Sequence, residues 1–178
     1  MNHQDHVRLL RGGVPTPGGV WADFGSGDGA FTLALADLLG PGAQIYSVDR
    51  EAHSLDRQAM SMTLQFPDVK VTYLAADYTR PLDLPPLDGV VMANSLHYQR
   101  DKGSVLALVR DYLKPGGRLA LVEYNADHGN MWVPYPLSYP TWEKLAAASG
   151  FVQTRLLATT PSRFLREIYS AESLKPAE

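Results

Sequence analysis

The chain has 178 residues, a formal net charge of −3 at pH 7 and no cysteine. Its length fits a single domain over residues 1–178, and the lack of cysteine excludes disulfides, thiolate nucleophiles and cysteine zinc sites. Residues 1–11 lack the apolar centre of a signal peptide, no apolar run approaches the roughly 20 residues of a membrane span, and the basic residues form no dense block. We therefore expect a cytoplasmic protein with no membrane partner and no nucleic-acid partner.

Apolar runs alternate with helical patterns along the chain, and this order predicts an α/β fold with a doubly wound, mostly parallel sheet. Helical spacing of apolar residues lies between the first and second strands, the second and third, the fourth and fifth, and the fifth and sixth. Only a short turn at 159–163 separates the last two strands, so they should be antiparallel neighbours. The strands are predicted at 20–24, 44–48, 69–75, 87–93, 118–124, 151–158 and 164–170.

The turn from the first strand into the following helix reads Asp-Phe-Gly-Ser-Gly-Asp-Gly over residues 23–29. Glycines at such a turn let the backbone bend sharply and approach a ligand, and the helix N-terminus offers free N–H groups. The same turn satisfies the dinucleotide-binding pattern Gly-x-Gly-x-x-Ala, and a glycine-rich turn without a ligand is the plainer interpretation. The turn therefore indicates a binding site without naming its ligand.

Carboxylates end the second and third strands. Asp49 lies twenty positions after Gly29, where a carboxylate can accept hydrogen bonds from both hydroxyls of a ribose. NAD-dependent enzymes and methyltransferases both use this geometry, and a helix cap or a solvated acid is the structural alternative. Asp77 ends the third strand, where its side chain can accept from the exocyclic amine of an adenine. NAD-binding folds do not require an acid at that place, so Asp77 favours a different adenosyl cofactor.

With these motifs the chain resembles the class I S-adenosylmethionine-dependent methyltransferase family over about residues 20–170. The resemblance rests on residues 23–29, Asp49, Asp77, the Leu-Lys-Pro-Gly-Gly-Arg-Leu sequence at 113–119 and the closing antiparallel pair. It implies a Rossmann-like, seven-stranded sheet with an antiparallel last strand, and S-adenosylmethionine as cofactor. It assigns cofactor contacts to Asp23, Phe24, Gly25, Ser26, Gly27, Gly29, Asp49, Arg50, Asp77, Tyr78 and Asn94.

Within that set the resemblance implies distinct roles. Asp23 orients the methionine amino group, Asp49 holds the ribose with Arg50 flanking the adenine, and Asn94 lies near the sulfonium. In-line methyl transfer mainly requires alignment of the nucleophile and exclusion of water, and it requires a base only when the nucleophile must lose a proton early.

The candidate catalytic residues follow the fourth and fifth strands. His97 is the best candidate base because its pKa suits neutral pH, and capping of the loop is the structural alternative. Tyr98 is a pocket wall, an orienting hydroxyl or plain packing. Glu123 is either a partly buried acid with a raised pKa or the structural partner of an arginine.

The connection over residues 125–140 is long and aromatic, as lids and binding loops often are. Its aromatic residues can form an apolar acceptor pocket or a cage for a cationic amine, or they pack against the sheet edge. We expect a small-molecule acceptor, covered by residues 1–19 and by this loop. The substrate contacts are predicted at His97, Tyr98, Tyr124, Trp132 and Tyr135.

We predict no metal site, since His3, Asp5 and His6 are interpreted as part of a solvated N-terminal segment. The oligomeric state is expected to be a monomer or a homodimer. Two alternatives to a methyltransferase remain open at this point: an NAD-dependent oxidoreductase, and a non-catalytic module that binds S-adenosylmethionine.

Overall fold

Seven strands and five α-helices make up the computed structural model, which describes all 178 residues. The helices are α1 (His3–Arg11), α2 (Ala30–Leu39), α3 (Ala52–Gln65), α4 (Lys102–Tyr112) and α5 (Tyr139–Ala148), with one 3-10 turn at Leu96–Tyr98. The strands are β1 (Val20–Phe24), β2 (Gln44–Asp49), β3 (Lys70–Ala75), β4 (Leu87–Ala93), β5 (Leu113–Tyr124), β6 (Val152–Pro161) and β7 (Glu167–Leu174). No helix combines the length and the apolar character that crossing a membrane requires.

The strands form one sheet in the order β3-β2-β1-β4-β5-β7-β6. All strand pairs are parallel except those of β7, which is antiparallel to both β5 and β6. The order reverses between β1 and β4, which are direct neighbours at the centre of the sheet. This architecture confirms the predicted fold, and it places the carboxyl ends of β1 to β4 together at the point where such sheets bind ligands.

Helices cover both faces of the sheet. One face packs against α4 and α5, and the other packs against α1, α2 and α3. Trp142 of α5 is fully buried. Strand β4 contributes residues to both apolar clusters, with Val90 on one face and Val91 on the other. A nearly continuous apolar strand is what a central parallel position requires, because both of its faces are covered.

The N-terminal residues form a helix rather than a solvated segment. A capping box between Asn2 and Asp5 starts α1, in which Val7, Leu9 and Leu10 are buried. The interpretation of His3, Asp5 and His6 as part of a solvated segment is therefore wrong. Two of these residues contact α2: the ring of His6 packs on Phe31, and Nε2 of His3 lies 2.9 Å from Oδ2 of Asp37.

The last hairpin is shifted along the sequence from its predicted place. Strand β6 continues to Pro161, so β7 begins at Glu167 rather than at residue 164. The predicted antiparallel pairing is nevertheless correct. The shift places Phe164 in the turn of the hairpin instead of in the last strand.

Candidate functional site

A cleft of about 200 Å³ lies at the carboxyl ends of β1, β2, β3 and β4. It brings together six of the residues predicted for the cofactor and adds others that the sequence analysis did not select. Its lining residues are Gly25, Asp49, Arg50, Glu51, Asp77, Tyr78, Asn94, Ser95, Tyr98 and Gln99.

Gly25 lines the cleft at a position where no larger residue fits. Its φ is +75°, and an added Cβ would lie 2.5 Å from the Cβ of Ser95. The Ser95 hydroxyl donates to the Phe24 carbonyl at 2.7 Å, which joins the loop after β1 to the loop after β4. The close approach of these two loops forms the floor of the cleft.

Asp49 is held in place by backbone N–H groups on both of its carboxylate oxygens. Oδ2 accepts from Gly27 at 2.8 Å, and Oδ1 accepts from Glu51 at 2.9 Å. A carboxylate oxygen has two lone pairs, so each can accept a further hydrogen bond from a ligand hydroxyl. The geometry therefore suits the predicted ribose contact.

Asp77 lies at the opposite end of the cleft, after β3. Hydrogen bonds from the side chain and the backbone of Thr79 lower the pKa of the Asp77 carboxyl, and the positive charges of Arg50 and Arg80 lower it further. Asp77 therefore remains an ionised hydrogen-bond acceptor at neutral pH, as a contact to an adenine amine requires.

Asn94 follows β4 with a backbone that few non-glycine residues adopt. Its φ is +51°, and its N–H donates to the Val122 carbonyl at 2.8 Å. Its side-chain Oδ1 is buried and has no hydrogen-bond partner. An unpaired buried acceptor is costly, so the cleft offers a place for a ligand donor or a cation beside Asn94. This orphaned oxygen fits a bound adenosyl cofactor with a positively charged sulfonium.

The remaining predicted cofactor residues do not line the cleft. Asp23 is 1% exposed and accepts a hydrogen bond from Thr32 at 2.6 Å. The side chain of Phe24 is fully buried and stacks on Tyr78, so a cofactor contact at this residue would have to come from its backbone. Also absent from the cleft lining are Ser26, Gly27 and Gly29.

A buried pair formed by His97 and Glu123 lies next to the cleft. Nδ1 of His97 is 2.8 Å from Oε2 of Glu123, and the backbone N–H of His97 donates to Oε1 at 3.0 Å. A carboxylate only accepts, so Nδ1 of His97 is the donor in this contact. Nε2 is buried and has no partner. Glu123 therefore orients His97 and is not the partner of an arginine.

A second, largely apolar pocket of about 240 Å³ adjoins the first. Asn94 and Tyr98 line both, so the two cavities meet at these residues. Tyr135 does not line this pocket, although its N–H donates to the His97 carbonyl at 2.9 Å. The lining residues are Asn94, His97, Tyr98, Tyr124, Trp132, Val133 and Phe164.

Five lining residues escaped the sequence analysis. Glu51 directly follows the predicted Arg50, and Ser95 directly follows the predicted Asn94, so the neighbours of the predicted residues would have included both. Val133 is the neighbour of the predicted Trp132. Gln99 is the neighbour of the predicted Tyr98. Phe164 has no local sequence signal, because its place depends on the shifted hairpin. Residues 1–19 line neither cavity.

The fold and the position of the cleft define an α/β protein with the Rossmann-like methyltransferase architecture. A similar solved structure is the 1,6-didemethyltoxoflavin-N1-methyltransferase of Burkholderia thailandensis, with bound 1,6-didemethyltoxoflavin and S-adenosylhomocysteine. The two superimpose with a TM-score of 0.75 at 19% identity, over 98% of this chain and 78% of that one. The architecture is therefore that of the class I enzymes.

A sequence model described as a methyltransferase domain matches residues 22–119, more than half of the chain. The chain therefore belongs to the methyltransferase domain family, which confirms the resemblance inferred from its motifs. S-adenosylmethionine is the cosubstrate of class I methyltransferases, so membership of the family confirms the predicted cofactor. Membership also favours a methyltransferase over an NAD-dependent oxidoreductase.

Among curated proteins the chain is similar to a reducing polyketide synthase of Penicillium, at 29% identity over 79% of this chain and 7% of that protein. It is also similar to the ubiquinone/menaquinone biosynthesis C-methyltransferase UbiE of Burkholderia mallei, at 29% identity over 71% of this chain and 50% of that protein. The chain thus spans half or less of the length of these curated relatives.

Proposed function

We propose that this chain transfers a methyl group from S-adenosylmethionine to a small, largely apolar acceptor that must first lose a proton to His97. The observation that carries the proposal is the buried His97–Glu123 pair: His97 lines a pocket that meets the cofactor cleft at Asn94, and its Nε2 has no hydrogen-bond partner within the protein. A general base is needed only for a nucleophile that carries a proton, such as a carbon acid or a phenol.

In this proposal the cleft holds the cofactor through contacts that its own residues are free to make. Asp49 accepts from the ribose hydroxyls, Asp77 accepts from the adenine amine, and Asn94 turns its unpaired oxygen towards the methionyl part. Bound S-adenosylmethionine supplies an electrophilic methyl group on a positively charged sulfur. These are the roles that the sequence analysis assigned to the three residues.

The His97–Glu123 pair then acts on the acceptor. Nε2 of His97 takes the acceptor proton, and the imidazolium that results is stabilised by the carboxylate of Glu123 at Nδ1. Because Glu123 also accepts from the backbone N–H of His97, the ring is fixed in the one orientation that leaves Nε2 free.

The apolar pocket indicates the kind of acceptor. Tyr124, Trp132 and Phe164 line it, and no lysine, arginine or carboxylate does. An aromatic or aliphatic acceptor that presents one acidic C–H or O–H to His97 fits this lining better than a charged one. The name of the relative UbiE, a C-methyltransferase, supports the same class of acceptor.

The test is the formation of S-adenosylhomocysteine from S-adenosylmethionine with a panel of 1,3-dicarbonyl compounds, hydroquinones, phenols and aliphatic amines. We expect turnover with members of the first three classes. His97→Gln should lower kcat about 10²-fold or more and leave the Kd for S-adenosylhomocysteine unchanged. Glu123→Gln should also lower kcat, because the amide no longer fixes the tautomer.

His53→Gln is the matched control, because this histidine is exposed on α3 and its side chain is 94% accessible. It should keep the wild-type kcat. Turnover restricted to amines, or full activity of the His97→Gln variant, would contradict the proposed base. Binding of S-adenosylhomocysteine without turnover of any acceptor would instead indicate a non-catalytic module.

A further inference from the structure

Gln58 is a fully buried glutamine in the middle of the apolar face of α3. Its neighbours on that face are Leu55 and Met62, at the spacing that points residues to one side of a helix. A methionine of similar length would fill this place without burying an amide. The amide is costly here, because its Oε1 has no hydrogen-bond partner. The cost of burying the amide must therefore be offset by the hydrogen bonds of its other polar atom.

That atom is Nε2, which donates to the glycine loop, defined here as residues 25–29. It lies 3.1 Å from the carbonyl oxygen of Gly27 and 3.3 Å from Oγ of Ser26. The fit is close, since a Cβ added to Gly29 would lie 2.3 Å from Cγ of Gln58. The helix and the loop therefore meet through Gln58 rather than through apolar packing.

The loop is also held from its other side by β2. Oγ of Ser47 donates to Oγ of Ser26 at 2.7 Å, and the N–H of Gly27 donates to Asp49 at 2.8 Å. Gly27 is thus fixed by its N–H on one side and by its carbonyl on the other. Gln58 is the partner of that carbonyl, so it links α3 to the carboxylate that lines the cofactor cleft.

A glycine at this place needs such a restraint. Gly27 has a φ of +53°, and a Cβ added there would meet nothing within 4 Å, so side-chain packing does not confine it. Glycine has more conformations to lose than any other residue. A loop that is fixed before the ligand arrives does not have to be ordered by binding, which strengthens affinity.

We propose that Gln58 is a positioning residue, which holds the glycine loop and Asp49 in the arrangement that receives the adenosyl ligand. The inference rests on the proposed function, since it presumes that the cleft binds S-adenosylmethionine. It concerns binding alone, because Gln58 lines neither cavity and touches none of the residues assigned to proton transfer.

The experiment compares wild type with Gln58→Met by calorimetric titration of S-adenosylhomocysteine. The variant should raise the Kd about tenfold, with a stoichiometry near one and no loss of melting temperature, because the unpaired oxygen is removed with the donor. Gln58→Glu should raise the Kd further, since a carboxylate would face the Gly27 carbonyl. Gln65→Met changes an exposed glutamine on the same helix and should bind like wild type.

A merely structural role for Gln58 gives a different pattern. The melting temperature and the binding stoichiometry would then fall together while the Kd of the folded fraction stayed the same, and that result would overturn the inference. A wild-type Kd in Gln58→Met would overturn it as well, with the proposed cofactor untouched. Failure of the wild-type chain to bind S-adenosylhomocysteine would overturn both the proposed function and this inference.

Discussion

Asp23 shows at the scale of one residue how the site influences the stability of the fold. Burial raises the pKa of its carboxyl from 3.8 to about 7, against the hydrogen bond from Thr32, which lowers it, and with the charge of Asp49, which raises it further. In the unfolded chain the pKa of the Asp23 carboxyl returns to its ordinary value. Between pH 4 and 7 the folded state therefore holds a proton that the unfolded chain has released.

The sign of the effect follows from this difference in bound protons. The free energy of unfolding should fall as the pH rises from about 4 to about 7, by up to roughly 4 kcal/mol, and should lose nothing more to Asp23 above that range. Asp23→Asn removes the titration and keeps an oxygen for Thr32. Urea unfolding at pH 5 and pH 8 should show the variant gaining stability relative to wild type at the higher pH.

Asp68→Asn is the control for that comparison, because Asp68 is exposed and should keep the wild-type dependence on pH. A variant at Asp23 that retained the wild-type slope between pH 5 and pH 8 would contradict the assignment. The sequence shows an acid at residue 23, but it does not predict the raised pKa of that acid, because the pKa depends on how completely the glycine loop and α2 cover the carboxyl.

Local sequence was sufficient for the residues that sit directly at strand ends. Asp49, Asp77 and His97 were predicted from their positions after apolar strands, and Asn94 was implied by the family resemblance. All four line a cavity. The local sequence did not show that the side chain of Phe24 points into the core, where it is fully buried. The role of Glu123 stayed open in the sequence, since a partner 26 positions away is not a local property.

At the scale of elements, the hairpin turn between β6 and β7 carries an aromatic residue to the acceptor pocket. Phe164 is 69% exposed, yet it lines the pocket opposite Tyr98 and Trp132, which are also exposed aromatics. An apolar acceptor would bury part of each ring. If the pocket holds the acceptor as proposed, we expect this turn to contribute to acceptor affinity and not to cofactor binding, since Phe164 does not line the cofactor cleft.

Phe164→Ala should raise the KM of an acceptor from the panel that turns over by about three- to tenfold, from the loss of buried apolar contact. The Kd of S-adenosylhomocysteine should not change. Leu165→Ala is the matched control, because Leu165 lies in the same turn and lines a different hollow. Equal KM values for the two variants would contradict a role for Phe164 in acceptor binding.

The elements that the sequence missed share a physical cause. Helix α1 is rich in charge, and its three buried residues become visible as one face only when α2 lies beneath them. Strand β6 ends within the turn predicted at 159–163, because pairing with β7 extends the strand to Pro161. Both depend on tertiary partners, whereas β1 and β4 have periodic patterns and flanking glycines or polar residues that identify them locally.

At the scale of the whole molecule, the cofactor cleft spans the place where the two halves of the sheet join. Gly25, Asp49 and Asp77 lie on one side, while Asn94 and Gln99 come from the loop after β4. The backbone contact between the halves is the short pairing of β1 with β4, which covers Trp21 to Asp23. A ligand in this cleft adds contacts across the join, so its binding should stabilise the complete fold.

This predicts a shift in thermal unfolding that depends on the cleft. S-adenosylhomocysteine at 100 times its Kd should add about 2.7 kcal/mol and raise the Tm by about 5–10 °C for a chain of this length. Asp49→Ala removes a charged acceptor and should weaken binding at least about tenfold, so the same concentration should give about half the shift. Differential scanning fluorimetry measures both, with NAD as the negative control. An equal shift in wild type and Asp49→Ala, or a shift with NAD alone, would contradict the assignment of Asp49 as a ligand contact in this cleft.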